Sequence, residues 1–280
     1  MKIIHTPQEM QTYALGLRSQ GKRIGFVPTM GFLHEGHLSL IQMAKKDCDI
    51  VGASIFVNPT QFGPNEDLSS YPRDEKGDFE KLTSVGCDFV FFPTPENMYP
   101  EGFQTSVSLG EITQGLCGTH RPGHFDGVAT VVLKLFNIVQ PHLAVFGEKD
   151  YQQLAVIRKM VEDLNLPVEI KGAPTARSPE GLALSSRNVY LSEEEKKQAL
   201  TLYQSIHLIQ DLYKKGEQKK AKLLDEAKKL FQKIPAQIEY LEIVDAKTLK
   251  SLEVIDRPAR YLMAIKLGKT RLIDNASVQS

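Results

Sequence analysis

The chain has 280 residues, enough to bury a substantial core in one large domain or two smaller ones. Lys plus Arg equals Asp plus Glu at 34 each, so no net field recruits nucleic acid or an acidic membrane, and any charge-based function has to be local. The first residues carry no apolar h-region and no uninterrupted apolar run approaches the ~18 residues of a membrane span, which makes a soluble cytoplasmic protein the expectation.

In chain order, Ile24–Val27 reads as an apolar strand that Pro28 stops, and a helix follows near Leu38–Asp47 with Leu38, Ile41 and Ala44 at helical spacing. Further strands are expected at Ile50–Val57, Phe89–Phe92, Leu143–Phe146 and Val168–Ile170, with helices near Asp74–Ser84, Val128–Val139 and Tyr151–Leu164. Strand–helix alternation of this kind predicts a parallel sheet covered on both faces, with ligands bound beyond the carboxyl ends of the strands. The pattern changes after about Thr175. A helix opens at Ser192, where Ser192 and Glu195 have capping-box spacing, and runs towards Gly216; a second spans roughly Lys219 to Lys233. Strands at Ile238–Val244, Tyr261–Leu267 and Thr270–Ile273 close the chain, the last two linked by Gly268-Lys269. The expected division is therefore an α/β domain over residues 1–175 and a smaller α+β domain over 176–280. The lysines between Lys214 and Lys229 alternate with Glu217, Asp225 and Glu226, as on a solvated helix face. Cys48, Cys87 and Cys117 are widely spaced with no Cys-x-x-Cys pair, so all three are read as reduced thiols, not a disulfide framework or a zinc ribbon.

The segment most informative about chemistry is Phe26-Val-Pro-Thr-Met-Gly-Phe-Leu-His-Glu-Gly-His-Leu38. A strand runs into a loop with His34 and His37 around Gly36, and His37 falls in the first turn of the following helix. Backbone N–H groups there have no intrahelical partner and face the positive end of the helix dipole, so an anion such as phosphate is favoured. The two imidazoles add donors, and Gly36 lets a ligand approach the backbone. A zinc pair would need a third ligand, and no His-Glu-x-x-His or Cys/His cluster supplies one.

Asn58-Pro-Thr-Gln-Phe-Gly63 follows the second strand. Gln61 offers amide donors and an acceptor, which orient a carboxylate without neutralising it; an ordinary turn with Gln61 exposed is the alternative. In Gly147-Glu-Lys-Asp150, Lys149 is placed to meet a phosphate, while Asp150 and Gln153 also have the spacing of an N-cap and its N3 partner. Leu184-Ser-Ser-Arg-Asn188 puts two hydroxyls and a guanidinium in one loop, a polyphosphate clamp in chemical type. Arg121-Pro-Gly-His-Phe-Asp-Gly127 reads as a further polar loop without an assigned role.

His34-Glu-Gly-His37 after a strand, with Leu184-Ser-Ser-Arg187 far downstream, resembles the signatures of the nucleotidyltransferase superfamily that includes class I aminoacyl-tRNA synthetases. Taken with Pro28–His37, Phe56–Gly63, Arg121–Phe125, Gly147–Gln153 and Ser185–Asn188 in that order, the chain is similar to the pantoate–β-alanine ligase family. The resemblance implies a Rossmann-like parallel-sheet domain, a smaller carboxy-terminal lid and a homodimer. It also implies a reaction in which ATP and pantoate form pantoyl adenylate and pyrophosphate, after which β-alanine displaces AMP to give pantothenate. Carried over residue by residue, Met30, Gly31, Phe32, Leu33, His34, Glu35, Gly36 and His37 line the ATP site, with His37 as proton donor. Gln61 and Gln153 hold pantoate, and Gln61 also meets β-alanine. Gly147, Glu148, Lys149 and Asp150, with Leu184, Ser185, Ser186 and Arg187, complete the nucleotide site, and Ala176 contacts adenine through its backbone. Leu184 and Ala176 depart from the family, which commonly has Met and a larger aliphatic residue there. Lys149 and Arg187 would take charge accumulating on pyrophosphate while His34 and His37 serve the phosphates, and Mg²⁺ is expected to arrive with ATP. Two other readings stay open: a nucleotidyltransferase that keeps the nucleotide on its product, and an adenine-nucleotide sensor. A tRNA synthetase is disfavoured by the short, neutral chain.

Overall fold

The computed structural model describes residues 1–64 and 66–279. In chain order the elements are β1 (Lys2–Ile4), α1 (Pro7–Ser19), β2 (Ile24–Thr29), α2 (Glu35–Ala44), β3 (Ile50–Ile55), α3 (Glu75–Ser84), β4 (Phe89–Phe91), α4 (Pro95–Met98), α5 (Cys117–His120), α6 (His124–Val139), β5 (Leu143–Gly147), α7 (Tyr151–Asp163), β6 (Glu169–Ala173), α8 (Glu193–Lys214), α9 (Lys220–Phe231), β7 (Ala236–Asp245), β8 (Ala259–Leu267) and β9 (Thr270–Ser277). Two compact units divide the chain. The first holds residues 1–113, 121–148 and 153–174; the second holds 114–120, 149–152 and 175–280.

The first unit is a parallel sheet in the order β1-β4-β3-β2-β5-β6. Strand residues alternate between its two faces. Phe26, Phe89, Phe91, Ala144 and Phe146 join α1, α6 and α7 in one apolar core, while Val27, Val90, Leu143 and Val145 join α2 and α3 in another. Burial on both faces is why these strands read as continuous apolar runs. β2 is flanked in space by β3 on one side and β5 on the other, so the order reverses direction at the β2/β5 pair. At such a switch point the loops leaving the strand ends diverge and open a crevice. Within the first unit, the residues that leave β2 and β5 are Met30–His34 and Glu148.

Several expectations need correction. Pro28 does not stop β2, which continues to Thr29 with Pro28 opposite Ser54; the ladder to β5 is confined to Gly25 and Phe26, so the missing proline N–H breaks no pairing on that side. The N-terminal β1 and α1 are additions to the expected elements: a three-residue edge strand is too short for periodicity to register, whereas α1 does carry a start signal, a capping box of Thr6 and Glu9 with Pro7 in the first turn. α6 starts at His124, four residues before the apolar run, so only the first part of the expected Arg121–Gly127 loop is loop.

The second unit packs α8 and α9 on the antiparallel sheet β7-β8-β9, with Phe231, Tyr261, Met263 and Ile265 among its fully buried side chains. Ser192 and Glu195 form the expected capping box at the start of α8. On α9, Lys222, Lys228 and Lys229 pair with Glu217, Asp225 and Glu226, consistent with a solvated face. Among the described residues no helix is long and apolar enough to cross a membrane.

Candidate active site

In the first unit the site begins where β2 ends. Thr29 Oγ1 donates to Ser54 O at 2.6 Å and accepts from Gly31 N at 3.2 Å, which turns the chain sharply away from the sheet. Gly31 has φ +83°, and a Cβ there would lie 3.0 Å from both Asp78 and Ile55, so glycine is needed for conformation and for space. Phe32 follows at φ +50°, a left-handed conformation that a side-chain-bearing residue adopts only at a cost. The backbone N–H groups of Phe32 and Leu33 each donate to one oxygen of the buried Asp78 carboxylate, at 2.7 Å. Asp78 carries no sequence signal, lying on α3 amid ordinary charged residues.

His34 is the N-cap of α2, and its Nδ1 accepts from Gly36 N at 3.1 Å. His37 Nδ1 accepts from His34 N at 3.3 Å, which makes the two imidazoles a reciprocal capping box with ring centroids 4.1 Å apart. A nitrogen that accepts carries no hydrogen, so in both rings the hydrogen belongs on Nε2. His37 N also donates to His34 O at 2.8 Å. These contacts revise the expected division of labour at the helix start. The first-turn amides of Gly36 and His37 are engaged internally, by His34 Nδ1 and His34 O.

Gln61 sits in a 3₁₀ turn, Pro59–Gln61, capped by Asn58. Its side chain is not the exposed turn residue of the alternative reading, for it is only 9% accessible. Asn58 Nδ2 donates to Gln61 Oε1 at 3.0 Å, and Gln61 Nε2 lies 3.3 Å from Met30 Sδ. Asn58 Oδ1 in turn accepts from Tyr99 Oη at 2.8 Å and from Thr60 Oγ1 at 3.0 Å. Gln61 thus accepts from Asn58 through its oxygen and donates to Met30 Sδ through its NH₂, which fixes the orientation of the amide. Gly127 of α6 makes this possible, because a Cβ there would lie 2.4 Å from Thr60 O.

The Arg121 segment supports the same turn. Arg121 grips Glu66 with two hydrogen bonds of 2.6 Å, and Arg121 Nη2 donates to Gln61 O at 3.3 Å. His124 Nδ1 donates to Gln61 O at 2.8 Å while its Nε2 accepts from Arg121 Nη1 at 3.0 Å, a pattern that one neutral tautomer satisfies. Burial alone would raise the Glu66 carboxyl, but the hydrogen bonds and charge of Arg121 outweigh it and hold it below the usual range. Gly147 ends β5, Glu148 follows it in a 3₁₀ turn, and Gln153 lies half-buried in the first turn of α7.

In the second unit, Lys149 and Asp150 belong to that same 3₁₀ turn, with Lys149 Nζ 3.7 Å from Asp150 Oδ2. The neighbouring Gln152 is structural, its amide spanning Cys117 N and Gly115 O at 3.0 and 3.1 Å. Residues 176–184 form a narrow loop in which Leu184 N donates to Ala176 O at 2.9 Å, so the Ala176 carbonyl has one lone pair already used. Ser185 then caps the 3₁₀ turn Ser186–Tyr190 by accepting from Arg187 N at 3.3 Å. Two consecutive residues of β9 anchor both segments: Asp274 forks onto Arg177, with the Oδ1–Nη2 bond at 2.8 Å, and Asn275 Nδ2 donates to Lys149 O at 2.8 Å. Neither residue carries a sequence signal, because they read as ordinary polar positions near the chain end. Within their own units the structure thus gathers His34 with His37, Gln61 with Met30, and Lys149 with the Ala176–Arg187 segment through β9.

Comparison with known proteins shows which family the whole chain resembles. The family model described as pantoate-beta-alanine ligase matches residues 2–277. The pantothenate synthetase of Trichlorobacter lovleyi is 56% identical over 98% of both chains, and that of Thermotoga petrophila 52% identical over 98% of this chain and 99% of the relative. Among solved structures, pantothenate synthetase from Thermus thermophilus superposes with a TM-score of 0.95 at 45% identity over the full length of both chains. Pantoate-beta-alanine ligase from Francisella tularensis, complexed with beta-gamma ATP and beta-alanine, has a TM-score of 0.82 at 35% identity, covering all of this chain and 98% of that one.

Proposed function

The chain belongs to the pantoate–β-alanine ligase family, and on that premise we propose how its residues divide the reaction. It condenses pantoate with β-alanine in an ATP-dependent reaction. In the proposed course, a pantoate carboxylate oxygen attacks the α-phosphorus of ATP, the bond to the β-phosphate oxygen breaks, and pyrophosphate leaves. The β-alanine amine then attacks the acyl carbon of the adenylate, loses a proton and displaces AMP.

The observation that carries the mechanistic half is the reciprocal cap of His34 and His37, which fixes a hydrogen on each Nε2. These two donors suit phosphate oxygens whose charge rises as the bond breaks, with His37 as the group that meets the leaving oxygen. Gln61 and Gln153 are assigned to pantoate, since a neutral amide orients a carboxylate without quenching it as a nucleophile. Gln61 is assigned to β-alanine as well. Lys149, Arg187 and the hydroxyls of Ser185 and Ser186 take the charge of the leaving pyrophosphate. Gly147, Glu148, Asp150 and Leu184 complete the nucleotide site, with Ala176 meeting adenine through its backbone. Mg²⁺ comes with the triphosphate, whose oxygens and waters are its usual ligands. The proposal also takes residues 1–175 as the nucleotide- and pantoate-binding domain, residues 176–280 as the lid, and the working enzyme as a cytoplasmic homodimer.

AMP release from ATP and pantoate tests the reading directly. Release is expected to depend on β-alanine, with pantothenate formed in equal amount; release independent of β-alanine would sink the ligase reading and favour a nucleotidyltransferase. Gln61→Ala is expected to raise the KM for pantoate about tenfold or more, the scale of one lost hydrogen bond to a charged group, with ATP affinity within about twofold. A drop in ATP affinity instead would reassign the Asn58–Gly63 segment to the nucleotide.

A further inference from the structure

We propose that Asp78 is a positioning residue for the adenylation step: its ionised carboxylate, together with Lys81 one turn along α3, clamps the Gly31–Leu33 backbone in the conformation that presents His34 and His37 to ATP. The inference rests on the ligase reading and deepens it.

Three features carry it. First, the two carboxylate oxygens are used separately, Oδ2 by Phe32 N and Oδ1 by Leu33 N, each at 2.7 Å. Both oxygens accept, which is the arrangement of a carboxylate and not of an amide or a neutral acid. Second, Lys81 Nζ donates to Leu33 O at 2.9 Å, so the N–H and the C=O of one residue are held by opposite charges from the same helix. Leu33 immediately precedes the N-cap His34, so its placement sets where the capping box begins. Third, the held segment is left-handed at both Gly31 and Phe32, and at Phe32, which carries a side chain, that conformation costs energy that the hydrogen bond to Asp78 offsets.

The charged surroundings are limited. Lys81 and the N-cap Asp74 face Asp78 from α3, the latter 4.0 Å from Lys81. A cavity of ≈160 Å³ on this side of the loop is lined by Gly31, Phe32, Arg73, Asp74, Glu75 and Asp78, among others, and gives the carboxylate a route to protons. Burial is the largest influence on Asp78 and, with Asp74, raises its carboxyl above the usual range against the lowering by Leu33 N–H, Phe32 N–H and Lys81. A raised carboxyl takes up its proton at a higher pH than an ordinary aspartate. As pH falls through that point one of the two oxygens becomes a hydroxyl, the paired grip on Phe32 N and Leu33 N is broken, and ATP use declines. This carboxyl's own contribution to fold stability runs the other way, since the folded state binds the proton more tightly than the unfolded chain and gains by it. An acid limb caused by Asp78 is therefore not a limb of unfolding.

The test is steady-state kinetics with all three substrates across pH, on the wild type, Asp78→Asn and Asp78→Glu. Asp78→Asn is expected to raise the KM for ATP at least tenfold, to leave that for β-alanine within twofold, and to lack the acid limb in kcat/KM for ATP. Asp78→Glu is expected to keep the limb, and it decides the matter if the asparagine variant does not fold. An ATP KM within twofold of wild type, equal losses for every substrate, a limb that survives in the asparagine variant, or one absent from both wild type and Asp78→Glu would each overturn the proposal. A wild type that binds ATP and makes no pantothenate would overturn the ligase reading instead.

Discussion

Pantoyl adenylate formation is expected to slow roughly 10²–10³-fold when His37 is replaced by alanine, the scale of removing one preorganised donor from a transition state. The reason lies in how the ring is held. His37 Nδ1 is occupied by His34 N, so the hydrogen on Nε2 is aimed by the helix start itself and needs little reorganisation when charge develops on the leaving phosphate. The substitution also removes one half of a capping box, which costs about 0.5–2 kcal/mol of stability and leaves the fold intact. Pantoate-dependent pyrophosphate exchange measured beside circular dichroism separates the two effects. Asparagine supplies an acceptor near Nδ1 without the Nε2 donor, so His37→Asn is expected to restore the stability and not the rate. A rate loss below about tenfold in folded His37→Ala would remove His37 from the chemistry.

The largest expected stability effect is at Asp274→Ala, where a loss of about 3–5 kcal/mol follows from stranding a charge whose partner has been deleted. Asp274 has a side chain only 1% exposed, and the guanidinium it grips in Arg177 is 18% exposed. Arg177 also donates to Gly181 O at 3.1 Å and stacks on Tyr203 with 4.7 Å between guanidinium carbon and ring centroid, so it cannot simply swing into water. The Asn275 N–H, which donates to Asp274 Oδ1 at 2.7 Å, loses that acceptor as well. Urea unfolding read by far-ultraviolet dichroism checks the figure, and a loss below about 1 kcal/mol would mean that Arg177 regains solvent on its own. Because Arg177 lies inside the 176–187 segment, the same variant is expected to weaken ATP more than pantoate. Replacing Asp274 and Arg177 together by apolar residues is expected to recover part of the stability, since removing both charges avoids the stranded one.

Much of the architecture was legible in the order of elements. Apolar strands buried on both faces stand out from helices with one apolar face, and the change after Thr175 separated the parallel sheet from the later helices and antiparallel strands. The errors fall where local pattern carries little information. Pro28 reads as a stop, yet a strand tolerates it where one neighbouring ladder has already ended. The short edge strand β1 and the turn of α6 before its apolar run have too few residues for a period.

By itself the sequence determined which chemical groups this protein holds and roughly where on the chain they follow strands: two imidazoles around Gly36, amides at Gln61 and Gln153, cations at Lys149 and Arg187. Short spacing is local information, and spacing at a strand end suffices to point to a candidate phosphate site. Only the tertiary structure decided what those groups are able to do. It directed both imidazole Nδ1 atoms into the helix start, oriented the Gln61 amide between Asn58 and Met30, placed Asp78 under a loop 46 positions away from Phe32, and set Asp274 and Asn275 beneath the second-unit residues. Each of these is a hydrogen bond between atoms brought together by folding, and which atom of a polar side chain remains for a ligand depends on which atom the fold has already used.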